Sequence, residues 1–222
     1  MHNGNKSLAY ELIRQAKLSG ATIAKFQLGW TREAEAKYAP SPAPIREDNK
    51  CSARYIDDWT EDLARWCADM DIEFMASIWS IEGLEVARSV GMKRYKIAHQ
   101  MDDAELVSEM CKDNKELFVS SSAGGQSWHT KLANENFRWV YADADYPHHG
   151  TLLPTFDFLC GFSSHRHGIA DALVAVYKGA KYIEKHITLD KTMPWPRDAS
   201  FALLPHEFEE MTRIGNEIAR LR

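Results

Sequence analysis

Two lysines, a set of serines and two histidines recur in this chain at one kind of place, the residues that close short apolar runs. "TIAKFQL" (Thr22–Leu28) carries Lys25 and Gln27, and "IEFMAS" (Ile72–Ser77) ends in Ser77. "KRYKIA" (Lys93–Ala98) carries Lys96 with His99 just beyond, and "ELFVSS" (Glu116–Ser121) ends in Ser120 and Ser121. "RWVYA" (Arg138–Ala142) is followed by Asp143, Asp145 and Tyr146. "FLCGF" (Phe158–Phe162) leads into Ser163, Ser164 and His165, and "KYIEKHI" (Lys181–Ile187) carries Glu184 and His186. Ammonium groups and hydroxyls gathered on one face make a site for a phosphate or carboxylate. A pair of imidazoles with open coordination positions suits a catalytic divalent cation such as Mn²⁺ or Zn²⁺. Taken singly these residues carry little. Serine is common after strands, Lys25 could snorkel to solvent, and a lone histidine is most often a hydrogen-bonded structural residue. His148, His149, His167 and His206 are read in that way. What joins the others is their shared position.

That position depends on the elements. Six of the seven apolar runs are followed by a helical pattern: Tyr55–Met70 after a long loop, then Glu82–Val90, Asp103–Lys112, Ser127–Ala133, Gly168–Lys178 and Pro205–Leu221. One more helix, near Ser7–Leu18, precedes the first run. Strands alternating with helices predict βαβ units and a parallel sheet. In such folds ligands bind at the carboxyl ends of the strands, where the polar residues above fall. Seven strands with a helix ahead of them fit an α/β (β/α)8 TIM barrel lacking its first strand, in one domain over residues 1–222. Barrels run to roughly 250 residues, which agrees with that length. An open doubly wound sheet is the alternative. The long connection Gly29–Arg54 has the size of a lid or a disordered segment.

Bulk properties narrow the function classes. A net charge of −5 and a pI near 6.0 argue against a nucleic-acid or membrane-surface binder. Four cysteines without a CxxC pair give neither a zinc knuckle nor a disulfide framework and suit a reducing cytoplasm. No apolar run approaches the roughly 20 residues of a membrane span, and no signal-peptide core is present, so a cytoplasmic protein is expected.

"HNGN" before a helix, "AKFQ", "YKIA", "FVSSS", "DYP", "GFSSHRHGI" and "GAKYIEKHITLDKTMP" together resemble the sialic acid synthase (N-acetylneuraminate synthase) family, in order from His2 to about Phe208. The resemblance implies a (β/α) barrel that condenses phosphoenolpyruvate with an N-acyl hexosamine such as N-acetylmannosamine to a nonulosonic acid, releasing phosphate. It assigns phosphoenolpyruvate to Lys25, Ser77, Lys96, Ser120 and Ser163. It assigns a divalent metal, Mn²⁺ with Mg²⁺ as the alternative, to His165 and His186. Lys25, Lys96, Tyr146 and Asp198 are the implied catalytic set, with Tyr146 and Asp198 on the sugar side. A homodimer is implied as well.

The chain also departs from the family pattern. It starts just past the strand that ends in the family's Glu-Ile-Gly motif, and it stops before an antifreeze-like C-terminal domain. "PWPRD" stands where the family has "PGPD", His99 stands where serine is usual, and Ala144 stands where a small polar residue is usual. The phosphate and metal half is kept and the sugar half is altered, so weak turnover of N-acetylmannosamine with phosphoenolpyruvate binding retained is the expectation. Three readings stay open: an active synthase, a catalytically impaired barrel that binds a phosphorylated ligand or a protein, and a metal-dependent hydrolase, which the lack of an HxH pair disfavours.

Overall fold

The computed structural model describes residues 1–2, 4–30, 57–122, 132–143, 147, 152–193 and 197–222. Most of the long Gly29–Arg54 loop, the expected helix at Ser127–Ala133 up to residue 131, and Tyr146 lie outside them. The chain runs α1 (Lys6–Leu18), β1 (Ile23–Leu28), a short 3₁₀ turn (Asp57–Trp59) and α2 (Thr60–Asp69). It continues β2 (Glu73–Ile78), α3 (Ile81–Ser89), β3 (Arg94–Ile97), α4 (Ala104–Cys111), β4 (Glu116–Ser121) and β5 (Phe137–Ala142). Then come β6 (Gly161–Ser163), α5 (Ala170–Tyr177), β7 (Tyr182–Glu184), a 3₁₀ turn (Arg197–Ser200) and α6 (Pro205–Arg220).

Local chemistry sets these boundaries. The Leu8 and Leu106 amides donate to the side chains of Asn5 (3.0 Å) and Asp103 (2.9 Å), starting α1 and α4. α6 starts with Pro205 at its first position and the Leu204 amide donating to Glu207. The turns that return α1, α2, α3, α4 and α5 to the next strand pass through left-handed residues: Gly20, Asp71, Gly91, Asn114 and Gly179. Two expected strands are shorter than their apolar runs suggested. Phe158 is 95% exposed and the sixth strand opens only at Gly161. The seventh stops at Glu184, with Ile187 adding a single parallel bridge to Leu203.

All neighbouring strands pair in parallel, in the order β1-β2-β3-β4-β5-β6-β7. The sheet is strongly curled. Lys25 Nζ on β1 lies 3.4 Å from Glu184 Oε1 on β7, whereas six flat strand spacings would put those strands roughly 29 Å apart. The alternation of side chains then divides the fold. Ala24, Leu28, Phe74, Ile78, Tyr95, Ile97, Leu117 and Val119 point outward into the main core with Ile13, Leu63, Leu84 and Val107 from the helices. The inward face is layered. Glu73, Arg94, Glu116 and Arg138 pair in a charged chain at the amino ends (2.7, 3.2 and 2.9 Å). Met75, Phe118 and Val140, with Ile23, Cys160 and Tyr182, make an apolar layer above them. The polar residues at the carboxyl ends form the next layer. Among the described residues, no helix is long and apolar enough to cross a membrane.

Candidate active site

Register delivers the polar layer. Gln27 pairs with Ser77, Ser77 with Lys96, and Ser163 with Glu184. Residues of one parity on each strand therefore face the same interior space at nearly the same depth. Lys25, Ser77, Lys96, Ser120 and Ser163 are all brought together there, and Glu184 is their centre. Lys25 Nζ donates to Ser77 Oγ at 3.3 Å and lies 3.4 Å from Glu184 Oε1. Lys96 Nζ donates to Ser120 Oγ and lies 3.5 Å from Glu184 Oε2. Ser163 Oγ donates to Glu184 Oε1 at 3.0 Å, and the Tyr182 hydroxyl donates to Oε2 at 2.8 Å.

The electrostatics of this cluster are unusual. Lys96 is 2% exposed. Burial chiefly, with the neighbouring charge of Lys25, brings its ammonium down to about 8 against the opposing pull of Glu184. Burial alone would raise the Glu184 carboxyl, but Lys25 and Lys96 outweigh it and hold the group well below the usual carboxylate range. The cluster is thus an anion cradle in which one fixed carboxylate partly neutralises two lysines. His99 lies at its edge, its Nδ1 accepting from the Ser122 amide at 3.3 Å, and burial and then Lys96 lower its pKa.

The two histidines lie just past the ends of β6 and β7, with ring centroids 5.5 Å apart. The Phe201 ring stands nearly perpendicular to both, with centroids 6.0 and 5.6 Å away. Burial is the main reason that each imidazole falls to about 3, reinforced at His165 by His186 and at His186 by Lys25. Both are therefore neutral, the state that ligates metals. His165 Nδ1 sits 3.2 Å from the Asp143 carbonyl oxygen. A carbonyl only accepts, so the proton belongs on Nδ1 and the lone pair on Nε2. Asp198 Oδ2 is 3.8 Å from His186 Nε2. Two neutral imidazoles, one with its tautomer set by a backbone carbonyl, fit a divalent cation. Among the described residues no group of three or more His, Cys, Asp or Glu side chains is placed to hold one.

Some residues here stand out only in the structure. Glu184, one of the strand-end residues of the last apolar run, touches both lysines. Tyr182 was not singled out, although period-2 alternation puts it on the same face as Glu184. Arg166, Lys185 and Asp171, which form a buried cluster behind the histidines, carried no sequence signal because their contacts join separate elements.

Comparison with known proteins bears on the fold and the family. The chain is 29% identical over 249 residues to the human N-acetylneuraminate-9-phosphate synthase, covering 99% of this chain and 68% of that protein. It is 26% identical to the Campylobacter jejuni N,N'-diacetyllegionaminic acid synthase, covering 94% of this chain and 70% of that one. The crystal structure of the Leptospira borgpetersenii N-acetylneuraminic acid synthetase in complex with citrate superposes with a TM-score of 0.80 at 20% identity, over 99% of this chain and 81% of that one. The chain spans about two thirds of the length of the curated relatives it matches. The model of the NeuB family matches residues 12–130 and 141–221. This parallel α/β chain belongs to the NeuB family.

Proposed function

We propose that this chain is a phosphoenolpyruvate-dependent synthase that joins the three-carbon unit to an amino-sugar aldehyde, an N-acyl hexosamine, to give a nonulosonic acid. One observation carries the reading: two lysines and three serines converge on the inner face beside a pair of neutral imidazoles. Relatives named as sialic and legionaminic acid synthases support it.

The residues divide the work. Lys25 and Lys96 hold the phosphate and carboxylate of phosphoenolpyruvate, with Ser77, Ser120 and Ser163 as hydroxyl partners. To do so the lysines exchange part of their pairing with Glu184 for the substrate's oxygens. The bound enol carbon then attacks the acceptor's aldehyde carbon. Positive charge develops on the neighbouring carbon, water adds there, and phosphate leaves by C–O cleavage. Glu184 supplies the negative charge that offsets it, while Lys25 and Lys96 hold the departing phosphate. His165 and His186 would hold the divalent cation, Mn²⁺ before Mg²⁺, which when bound would polarise the aldehyde. Asp198, beside His186, faces the acceptor, and the resemblance places Tyr146 on the same side.

The reading is tested by phosphate release from phosphoenolpyruvate with Mn²⁺ and a panel of N-acyl hexosamines and smaller aldoses, alongside calorimetry with phosphoenolpyruvate. Acceptor-dependent release is expected with at least one amino sugar, and N-acetylmannosamine is expected to be a poor acceptor. Absence of both release and binding would overturn the reading. Binding without release from any acceptor would leave a phosphoenolpyruvate-binding barrel in place of a synthase.

A further inference from the structure

Behind the two imidazoles, on the outer side of the strand tops, lies a buried polar cluster with no part in the chemistry above. Asp143 follows β5, Ser164 and Arg166 follow β6, Lys185 follows β7, and Asp171 lies in the first turn of α5. The Lys185 side chain is 1% exposed and Asp171 8%, while Arg166 is 14% and Asp143 0% exposed. Two acids and two bases balance the charge. Arg166 Nε and Nη2 donate to the two carboxylate oxygens of Asp143 at 3.2 and 3.0 Å. Lys185 Nζ donates to the backbone carbonyl of Arg166 at 2.7 Å and lies 3.4 Å from Asp171 Oδ1. Ser164 Oγ donates to Asp171 and accepts from the Arg166 amide at 3.3 Å.

Buried ion pairs of this kind add little net stability over apolar side chains of similar size, because desolvation offsets their attraction. Their use is sought in what they orient. Here the ties end on segments that carry an imidazole. Asp143 accepts from the His165 backbone amide at 3.3 Å through its carboxylate, and its carbonyl accepts from His165 Nδ1 at 3.2 Å. Lys185 immediately precedes His186, and its ammonium grips the carbonyl of Arg166, the residue after His165. A single side chain thus clamps the two histidine-bearing segments across the β6–β7 gap, and Asp171 and Ser164 hold that clamp against α5.

We propose that Lys185, steadied by Asp171 and Ser164, is a positioning residue that sets the spacing and orientation of His165 and His186 for a divalent cation. The inference rests on the reading that those two imidazoles are cation ligands. Lys185 touches neither the reacting atoms nor the anion cradle. Its effect should therefore fall on the cation and spare phosphoenolpyruvate.

The full chain is tested with three readouts: Mn²⁺ affinity from the magnetic-resonance signal of free Mn²⁺, the visible absorption of the Co²⁺-loaded protein, and metal-free calorimetry with phosphoenolpyruvate. Lys185→Met is expected to weaken Mn²⁺ by about tenfold or more, as loss of an outer ligand-orienting contact does. The Co²⁺ bands should shift and phosphoenolpyruvate affinity should stay unchanged. If that variant does not fold, Ser164→Ala, which removes only the hydroxyl between Asp171 and the Arg166 amide, is scored on the same readouts and in the same direction. His165→Ala is the reference. Wild-type Mn²⁺ affinity in that variant would end the cation reading, and the positioning role with it. Loss of Mn²⁺ in His165→Ala, with wild-type affinity and Co²⁺ bands in the scored variant, would overturn the positioning role alone. A parallel fall in phosphoenolpyruvate affinity would also overturn it, since a general distortion of the strand tops would then be the cause.

Discussion

At Lys96 the cost of burying an ammonium and the use made of it are joined. Desolvation lowers its pKa to about 8, while Glu184 and Ser120 keep it paired. At neutral pH the group is mainly protonated and can hold an anion; as pH rises through about 8 the proton is lost and that attraction goes with it. On the proposed function phosphoenolpyruvate would bind the protonated form, so its affinity should fall above that pH, by up to about tenfold per unit. Calorimetry at a series of pH values from about 7 to 9.5 checks this. In Lys96→Met binding should be weak and its pH dependence over this window reduced. A wild-type profile in the variant would show that another group titrates. That Lys25 and Lys96 share one face was legible in the sequence, because both sit at inward positions of strands. The part of Glu184 was not, since its pairing with Lys25 links residues 159 positions apart that only the curl of the sheet brings together.

Among the elements, β6 shows how close packing decides what alternation leaves open. A methyl group built on Gly161 would lie 2.0 Å from the Tyr182 carbonyl oxygen and 2.6 Å from its Cβ. No side chain fits there without moving β7, and β7 carries both Tyr182 and Glu184. Gly161→Ala is expected to destabilise the protein by about 1–3 kcal/mol, as over-packing does. A lower denaturation midpoint and weaker phosphoenolpyruvate binding would report it; an unchanged midpoint would contradict the packing. The apolar run from Phe158 to Phe162 looks like a strand because it is short, apolar and bracketed by aromatic residues. Phe158 is instead exposed, and pairing begins with the Cys160 amide donating to the Trp139 carbonyl at 2.7 Å.

For the molecule as a whole, a cation that binds only the folded chain must stabilise it. Free Mn²⁺ at 100 times its dissociation constant would add about 2.7 kcal/mol. For a domain of this length each kcal/mol raises the melting temperature by about 2–4 °C, so a rise of roughly 5–10 °C is expected. A chelator should reverse it, and the double variant His165→Ala/His186→Ala should not show it. The same melting temperature with Mn²⁺ and with chelator in the wild-type chain would remove the cation from the account. Calorimetric melting is the measurement, and it samples the whole curled sheet because its first and last strands meet at the site.

The amino-acid sequence by itself determined the order of strands and helices, the inward or outward parity of residues such as Lys25, Lys96 and Ser163, and the family. These follow from local periodicity and motif order, which need no knowledge of distant contacts. Tertiary structure decided what those inward residues meet. Glu184 between two lysines, the charged chain Glu73–Arg94–Glu116–Arg138, and the clamp of Lys185 on the Arg166 carbonyl all join residues from different strands or the segments just past them. A period of two residues tells which face a side chain is on. It carries no information on how tightly seven strands curl, and at this site the curl sets the distances between charges.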